Sequence, residues 1–330
     1  MNLIIVKLVI SGRLSFKNKK KPCFDWPGIN ISFIFEGVKA DIILKDGGND
    51  YNVFIDDNLD KVICTRKGTK KYSLINSKFK KKRRITITKR TGSYDSKAII
   101  KRLMLDQGAK LLKPEIKTSK RILFLGDSVT VGYGIEGKSI DCNSERKYKN
   151  NYLSFGPLLC RMIQAEYHIV AISGRGLIKN YGAWRKKSKR PLPVYLHNTL
   201  IHNKKETWNH ETWIPQAIFM NLGTNNFAEK PYPNKDDFIM AYKIFIEEIK
   251  KKYPHSTILC ISGPTQQEPF YTYFNEIIKS FEGKNVYRID IGAMREDEYG
   301  CDFHPNVKSL FRIAKEILAQ LKKYDLLMVN

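Results

Sequence analysis

A serine that directly follows a short apolar run constrains the fold of this chain more than any other feature. The run Ile122-Leu123-Phe124-Leu125 leads into Gly126-Asp127-Ser128. An apolar run that ends in such a turn is typical of a buried strand in an open parallel sheet, where ligands and nucleophiles gather at the carboxyl ends of the strands. The pattern therefore predicts an α/β sheet that presents Ser128 at its edge.

A second candidate group lies near the C-terminus. The block Asp302-Phe303-His304-Pro305 places a carboxylate two residues before an imidazole. In acyl transfer a histidine takes the proton of a serine, and an acid orients the ring and stabilises its charge. We therefore predict that Ser128, His304 and Asp302 form a catalytic set, although they lie far apart in the chain.

Two further blocks follow apolar runs of the same kind. They are Ser173-Gly174-Arg175-Gly176 and Leu222-Gly223-Thr224-Asn225-Asn226. A tetrahedral intermediate needs hydrogen-bond donors around its negative oxygen. We predict that the amides of Ser128 and Gly174 and the side-chain NH2 of Asn225 supply these donors as an oxyanion hole. Each block alone is a weak signal, and the prediction rests on the order of all four.

The pattern of apolar residues predicts two domains, divided by a polar linker at 113–120. Residues 1–113 carry short β-branched or alternating runs between turns, which predicts a β-sandwich or jelly roll. Residues 118–330 alternate strands with helices, which predicts a parallel sheet with helices on both faces. The predicted strands cover 3–10, 29–35, 39–44, 51–55, 62–65, 72–75, 85–88, 122–125, 168–172, 217–222, 257–262 and 286–289. The predicted helices cover 152–166, 236–252, 273–281 and 307–323.

The chain is strongly basic, with 58 Lys and Arg residues against 33 Asp and Glu and a formal net charge of +25. Basic residues cluster at 17–21, 78–84 and 185–190. We interpret these clusters as solvated turns, because they lack the interleaved aromatic residues on which single-stranded nucleic acids stack. A phosphate-backbone footprint and attraction to an acidic polysaccharide are the alternatives. No specific nucleic-acid partner is therefore expected.

Cysteine and histidine spacing predicts neither a metal nor another cofactor. The six cysteines are scattered without a zinc-site pattern, and their even number leaves room for a disulfide that spacing does not assign. No histidine pair has the spacing of metal ligands beside a carboxylate. No apolar stretch approaches the about 18 residues of a membrane span, so no membrane partner is expected. Lys7 interrupts the N-terminal apolar run, so we expect a first strand rather than a signal peptide, and a cytoplasmic location by default. The sequence does not predict the oligomeric state.

The four blocks resemble those of the SGNH (GDSL-type) hydrolase superfamily, whose hydrolase domain is flavodoxin-like. The similarity extends to carbohydrate esterase family two and its N-terminal jelly roll. It rests on Gly12-Arg13, Phe24-Asp25-Trp26-Pro27-Gly28, Lys89-Arg90-Thr91, Ser173 to Leu177, Asn180-Tyr181, Leu222 to Asn225 and Cys301 to Asn306. This resemblance implies a serine esterase that removes O-acetyl groups from carbohydrates such as acetylated xylan or glucomannan, through an acetyl-enzyme intermediate. Members of the family are often secreted.

The sequence departs from the superfamily pattern at two positions. Most members carry an acid three residues before the histidine, where this chain has Cys301. Some members of family two orient the histidine with a backbone carbonyl, so both that arrangement and the Asp302 carboxylate stay open, and we favour the carboxylate. Asn226 stands where an acid is usual, which predicts altered packing of its loop.

Aromatic residues near the blocks are candidates for stacking on a sugar ring. Phe303 is the favoured substrate-binding residue because it neighbours His304. The other candidates are Trp184, Tyr195, Trp208 and Trp213.

Two other functions compete with carbohydrate deacetylation. A GDSL-type lipase or thioesterase would use the same blocks, but the β domain argues against it. A glycan-binding protein with an inactive hydrolase domain would keep the fold. Because Ser128, His304 and both hole donors are retained, this second alternative is disfavoured.

Overall fold

The computed structural model of the chain describes residues 7–92, 95–114, 118–143, 145–324 and 326. Its first part is an antiparallel sheet of eight strands in the order β2-β7-β3-β6-β4-β5, with β1 and β8 both paired to β3. The strands are β1 (Val9–Ser11), β2 (Cys23–Phe24), β3 (Asn30–Asp46), β4 (Asp50–Ile55), β5 (Asn58–Cys64), β6 (Gly68–Lys89), β7 (Ala98–Leu105) and β8 (Lys110–Leu112).

The long strand β3 belongs to both faces of this domain. Its first half pairs with β1 and β8, and its second half pairs with β7, while β6 runs along its whole length. The register shifts between Gly37 and Lys39 and again between Ala40 and Asp41. Such irregularities bend a strand and increase its twist, so the sheet curls around one apolar core. The prediction of a β-sandwich is confirmed.

The structure corrects some predicted strand boundaries. The runs at 29–35 and 39–44 are parts of β3, and those at 72–75 and 85–88 are parts of β6. The basic cluster at 78–84, which we had placed in a turn, therefore lies within a strand. The backbone of residues 81–84 pairs with β3 while most side chains of the cluster stay in solvent, so no apolar alternation marks it. Residues 3–6 of the first predicted strand lie outside the described residues.

The second part is built on a parallel sheet of five strands in the order β10-β9-β13-β14-β15. Within this domain the order is 2-1-3-4-5, that of flavodoxin-like folds. The strands are β9 (Arg121–Gly126), β10 (Glu166–Ala171), β13 (Ala217–Asn221), β14 (Thr257–Ser262) and β15 (Val286–Asp290), and β11 (Asn198–Leu200) pairs with β12 (Asn203–Thr207) outside this sheet. The helices are α1 (Ser128–Val131), α2 (Phe155–Ile163), α3 (Thr224–Phe227), α4 (Lys235–Lys252), α5 (Phe270–Lys279) and α6 (Val307–Lys323).

Helices cover both faces of the parallel sheet, as the sequence predicts. Alternate side chains of β9 enter different cores because successive residues of a strand point to opposite faces. Leu123 and Leu125 join the core that contains α4 and α5, whereas Ile122 and Phe124 join the core that contains α2 and α6. Strand order reverses around β9, so the crevice for a ligand lies at the carboxyl ends of β9 and β13.

Polar contacts join the β-sandwich to the hydrolase part. The buried carboxylate of Asp25 accepts a hydrogen bond from the N–H of Ile201 at 3.1 Å. Arg90 forms an ion pair with Glu136, which lies shortly after Ser128 in the chain. Both Asp25 and Arg90 belong to motifs that carry the family resemblance, so these motifs serve the contact between the two parts. Among the described residues, no helix has the length and apolar character needed to cross a membrane.

Candidate active site

Ser128 is the first residue of α1, directly after the turn that follows β9 at the carboxyl edge of the parallel sheet. The Asp127 carboxylate caps α1 by accepting a hydrogen bond from the N–H of Val129 at 3.2 Å. This cap replaces one of the bonds that the first turn of a helix cannot make internally. The turn thus fixes the backbone of Ser128, and the serine side chain lines a cavity of about 700 Å³.

The imidazole of His304 lies between two oxygens. Its Nε2 is 2.8 Å from Ser128 Oγ, and its Nδ1 is 2.9 Å from the main-chain carbonyl oxygen of Asp302. A carbonyl can only accept a hydrogen bond, so Nδ1 must carry the proton. Nε2 of the neutral ring is then an acceptor for the hydroxyl of Ser128. This tautomer is the one that a general base for serine requires.

The Asp302 carboxylate makes a different contact from the one that we expected. It accepts a hydrogen bond from Tyr133 Oη at 2.9 Å, and the Tyr133 ring lies 4.6 Å from the His304 ring between centroids. Asp302 therefore meets the imidazole through its backbone oxygen, while its side chain binds the neighbouring tyrosine. Tyr133 follows the serine block closely in sequence, but nothing in its spacing marks this role.

The backbone of the histidine turn explains this arrangement. Asp302 has φ 52° and ψ 43°, and Phe303 has φ 58°. The left-handed region costs an L-residue roughly 1–2 kcal/mol. Two successive residues in this conformation reverse the chain, which brings the Asp302 carbonyl to the ring of His304.

The expected donors of the oxyanion hole lie around the same cavity as Ser128 and His304. Gly174 has φ 74°, a conformation that glycine adopts without strain. A Cβ there would lie 3.8 Å from Tyr181 Cβ, an ordinary contact, so the backbone angle rather than crowding favours glycine. The Asn225 NH2 lies 3.1 Å from Asp127 Oδ2 and 3.1 Å from the Arg175 carbonyl oxygen. Both of its hydrogens thus have acceptors in the protein, and donation to an oxyanion requires that one of them be shared.

Asn226 packs its loop through the side-chain oxygen. This oxygen accepts hydrogen bonds from the N–H groups of Leu177 at 3.0 Å and Ile178 at 3.2 Å. The Nδ2 atom of the same amide has no partner among the described residues. The amide thus fixes the loop that follows Gly174, and its NH2 group is the part without a contact.

Exposed aromatic rings border the cavity. Phe303 is 65% exposed and Tyr181 is 60% exposed, and both line the cavity. Of the other aromatic candidates, Tyr195 and Trp213 are buried in the core, while Trp184 is exposed with the Arg185 guanidinium over its ring. Trp208 is only partly buried, and its ring lies beneath a guanidinium.

Burial shifts the pKa of two groups at the site. It lowers the pKa of His304 below the ordinary value, although the hydrogen bond to the Asp302 carbonyl opposes this effect. The ring is therefore neutral near pH 7, as a general base must be. Burial also raises the pKa of Asp127 to about 7.

The parallel sheet has the strand order of flavodoxin-like folds, and it presents Ser128 beside His304 at its carboxyl edge. Residues 10–114 match the carbohydrate esterase 2 N-terminal family, and residues 124–309 match the GDSL-like lipase/acylhydrolase family. The chain belongs to the GDSL-like lipase/acylhydrolase family, in the two-domain form of carbohydrate esterase family two.

Characterised relatives cover nearly the whole chain. The cellulase/esterase CelE of Acetivibrio thermocellus is 27% identical over 96% of this chain, which spans 39% of the length of that relative. An acetylxylan esterase / glucomannan deacetylase of Cellvibrio japonicus is 24% identical over 91% of this chain and 85% of its own length. The structure of a family two carbohydrate esterase from Clostridium thermocellum in complex with cellohexaose superposes with a TM-score of 0.91 at 25% identity, covering 97% of this chain and all of that one.

The geometry predicts a small effect for Asp302→Asn. Asparagine tolerates the left-handed conformation and keeps the carbonyl that contacts His304. Turnover of an aryl acetate should fall less than about tenfold, or roughly 1.4 kcal/mol of transition-state stabilisation. Steady-state kinetics with Asp302→Ala as the comparison variant measure this effect, since alanine tolerates the turn less well. A loss of several orders of magnitude with Asp302→Asn would show that the carboxylate, rather than the carbonyl, supports the ring.

The lowered pKa of His304 predicts the pH dependence of hydrolysis. The free protein must hold a neutral imidazole, so kcat/KM should rise with pH and reach half its plateau below about 6.5, the ordinary pKa of histidine. Initial rates on an aryl acetate between pH 4.5 and 8 measure this limb. Asp127→Asn is the control, because a limb that Asp127 produced would vanish in that variant. A midpoint above the ordinary histidine value would contradict the prediction.

Proposed function

We propose that this protein is a carbohydrate esterase that removes O-acetyl groups from polysaccharides or oligosaccharides. The observation that carries the proposal is the 2.8 Å contact between Ser128 Oγ and His304 Nε2, in a cavity with exposed aromatic rings. The names of the relatives, acetylxylan esterase and glucomannan deacetylase, support an acetylated carbohydrate as the substrate.

In the proposed reaction Ser128 is the nucleophile and His304 the general base. Nε2 takes the hydroxyl proton as Oγ attacks the acetyl carbonyl, and it returns this proton to the departing sugar oxygen. Water then attacks the acetyl-enzyme by the same route, which releases acetate and restores Ser128. Throughout, the proton stays on Nδ1, which donates it in a hydrogen bond to the Asp302 carbonyl oxygen. This bond holds the ring and helps to stabilise its positive charge.

The developing oxyanion would lie between the amides of Ser128 and Gly174 and the side chain of Asn225. All three residues line the cavity, and hydrogen-bond donors already in place stabilise such charge as it develops. Phe303 and Tyr181 are proposed to contact the sugar, because an exposed ring beside the nucleophile offers an apolar face to a pyranose.

The alternative functions differ in what they release or bind. A GDSL-type lipase or thioesterase would prefer a long acyl chain over acetate. A glycan-binding protein with an inactive hydrolase domain would bind oligosaccharides without releasing acetate. The Ser128 and His304 contact favours a hydrolytic site.

Acetate release tests the proposed function directly. We expect acetate from acetylated xylo-oligosaccharides or acetylated glucomannan, and faster hydrolysis of 4-nitrophenyl acetate than of the octanoate ester. Ser128→Ala should lose nearly all of both activities because serine and histidine act as a unit. Ser139→Ala is the matched control and should retain activity, because Ser139 neighbours Ile140 of the cavity wall but does not line the cavity itself. A preference for the octanoate ester, or glycan binding without acetate release, would support one of the alternatives instead.

Removal of the Asn225 side chain tests the proposed oxyanion hole. Asn225→Ala should lower kcat by about 10²–10³, the usual effect of losing one such donor. KM should change little, since the donor acts on charge that develops in the transition state. Steady-state kinetics on 4-nitrophenyl acetate separate the two constants. A rise in KM with unchanged kcat would instead make Asn225 a substrate-binding residue.

A further inference from the structure

A disulfide between Cys142 and Cys301 joins two segments on the same side of the candidate site. Cys301 is fully buried and directly precedes Asp302. Cys142 lies in the segment that follows α1. Ile140 of the same segment lines the cavity together with Phe303. Neither sulfur lines the cavity, so the disulfide does not take part in the proposed chemistry itself.

The disulfide lies among hydrogen bonds that hold the histidine turn. The N–H of Cys301 donates to the Gly134 carbonyl at 3.1 Å, and the N–H of Asp302 donates to the Ile140 carbonyl at 3.1 Å. Within the turn, the N–H of His304 donates to the Cys301 carbonyl at 3.0 Å. The disulfide adds a covalent link to these hydrogen bonds. It attaches Cys301, the residue at which the turn begins, to Cys142.

The segment at 137–143 packs against the disulfide. Its described residues form turns and bends without helix or strand. At Gly137 a Cβ would lie 2.3 Å from the Cys301 sulfur and 2.5 Å from the Cys142 sulfur, so glycine leaves the space that the disulfide occupies. The segment thus packs directly against the cross-link, and Ile140 reaches the cavity from it.

The conformation of the turn requires contacts that hold it in place. Asp302 and Phe303 both hold positive φ angles that L-residues avoid, and strained residues persist only where their surroundings fix them. The same two residues bring the Asp302 carbonyl to His304 Nδ1. Release of Cys301 would let the turn relax to ordinary angles, and the carbonyl would then leave the ring.

We propose that the Cys142–Cys301 disulfide is a positioning element of the active site, which keeps the histidine turn in its catalytic conformation and makes turnover depend on the thiol redox state. The proposal rests on the proposed esterase function. A dithiol such as dithiothreitol supplies two electrons and two protons to the bridge. Cys142 and Cys301 become thiols, and the reagent becomes its cyclic disulfide.

Reduction of the wild-type protein is the main experiment. A thiol assay should show two additional thiols per chain after dithiothreitol treatment. The kcat on 4-nitrophenyl acetate should then fall by about ten- to a hundredfold, because small displacements of catalytic groups have effects of this size. KM should change less than about threefold, and reoxidation should restore kcat. Near-ultraviolet circular dichroism reports whether the reduced protein keeps its fold.

Variants separate the disulfide from the other cysteines. Cys142→Ser should have the low kcat of the reduced protein and should show no further response to dithiothreitol. Cys64→Ser removes an exposed free thiol and is the matched control, with wild-type kcat and a wild-type response to the reagent.

Three outcomes would contradict the proposal, and they differ from one another. A reduced, folded protein with kcat within twofold of the oxidised form would show that the turn needs no cross-link. Activity loss that tracks unfolding, in both the reduced protein and Cys142→Ser, would assign the disulfide to stability alone. If the oxidised wild type hydrolysed no acetyl ester, the proposed function itself would fail, and the positioning role with it.

Discussion

The arrangement of the site depends on the hydrogen bond between His304 Nδ1 and the Asp302 carbonyl oxygen. A water could face either tautomer of an imidazole, but a carbonyl oxygen, like an ionised carboxylate, only accepts and therefore fixes the proton on Nδ1. This leaves Nε2 as an acceptor toward Ser128. The carbonyl oxygen carries no full negative charge. The hydrogen bond therefore fixes the geometry and tautomer of the ring more than it stabilises the imidazolium. The Asp302 carboxylate, held by Tyr133, lies near enough to add its field without touching the ring.

The parallel sheet brings the parts of this site together. Ser128 follows β9 and Asn225 follows β13, and these strands are hydrogen-bonded neighbours that end at the same edge. Gly174 comes after β10, on the other side of β9. Residues distant in sequence thus converge because parallel neighbours align their carboxyl ends. His304 arrives differently, on an irregular turn before α6, so its position depends on local contacts rather than on a strand.

That difference explains how much of the protein can be predicted from its sequence. Apolar periodicity is a local signal, so the strands and helices of the hydrolase part and the edge at which Ser128 lies follow from it. The continuity of β6 through 78–84 could not be predicted, because most of these basic side chains are exposed and residues 81–84 are held by backbone pairing with β3. Which oxygen of Asp302 meets His304 is decided by two backbone angles that the sequence does not display. The Cys142–Cys301 pairing joins residues 159 positions apart, which spacing cannot assign.

The β-sandwich contacts the chain just before the segment that carries Ile140 and Cys142. Arg90, which directly follows β6, forms an ion pair with Glu136. Glu136 also accepts a hydrogen bond from Asn150 at 2.7 Å. Glu136 immediately precedes Gly137, against which the disulfide packs. One end of the segment is thus held by the neighbouring domain, and the other is cross-linked to the histidine turn. A motif with no catalytic group, Lys89-Arg90-Thr91, thus contacts the stretch of chain that leads to Cys142 and, through the disulfide, to the histidine turn.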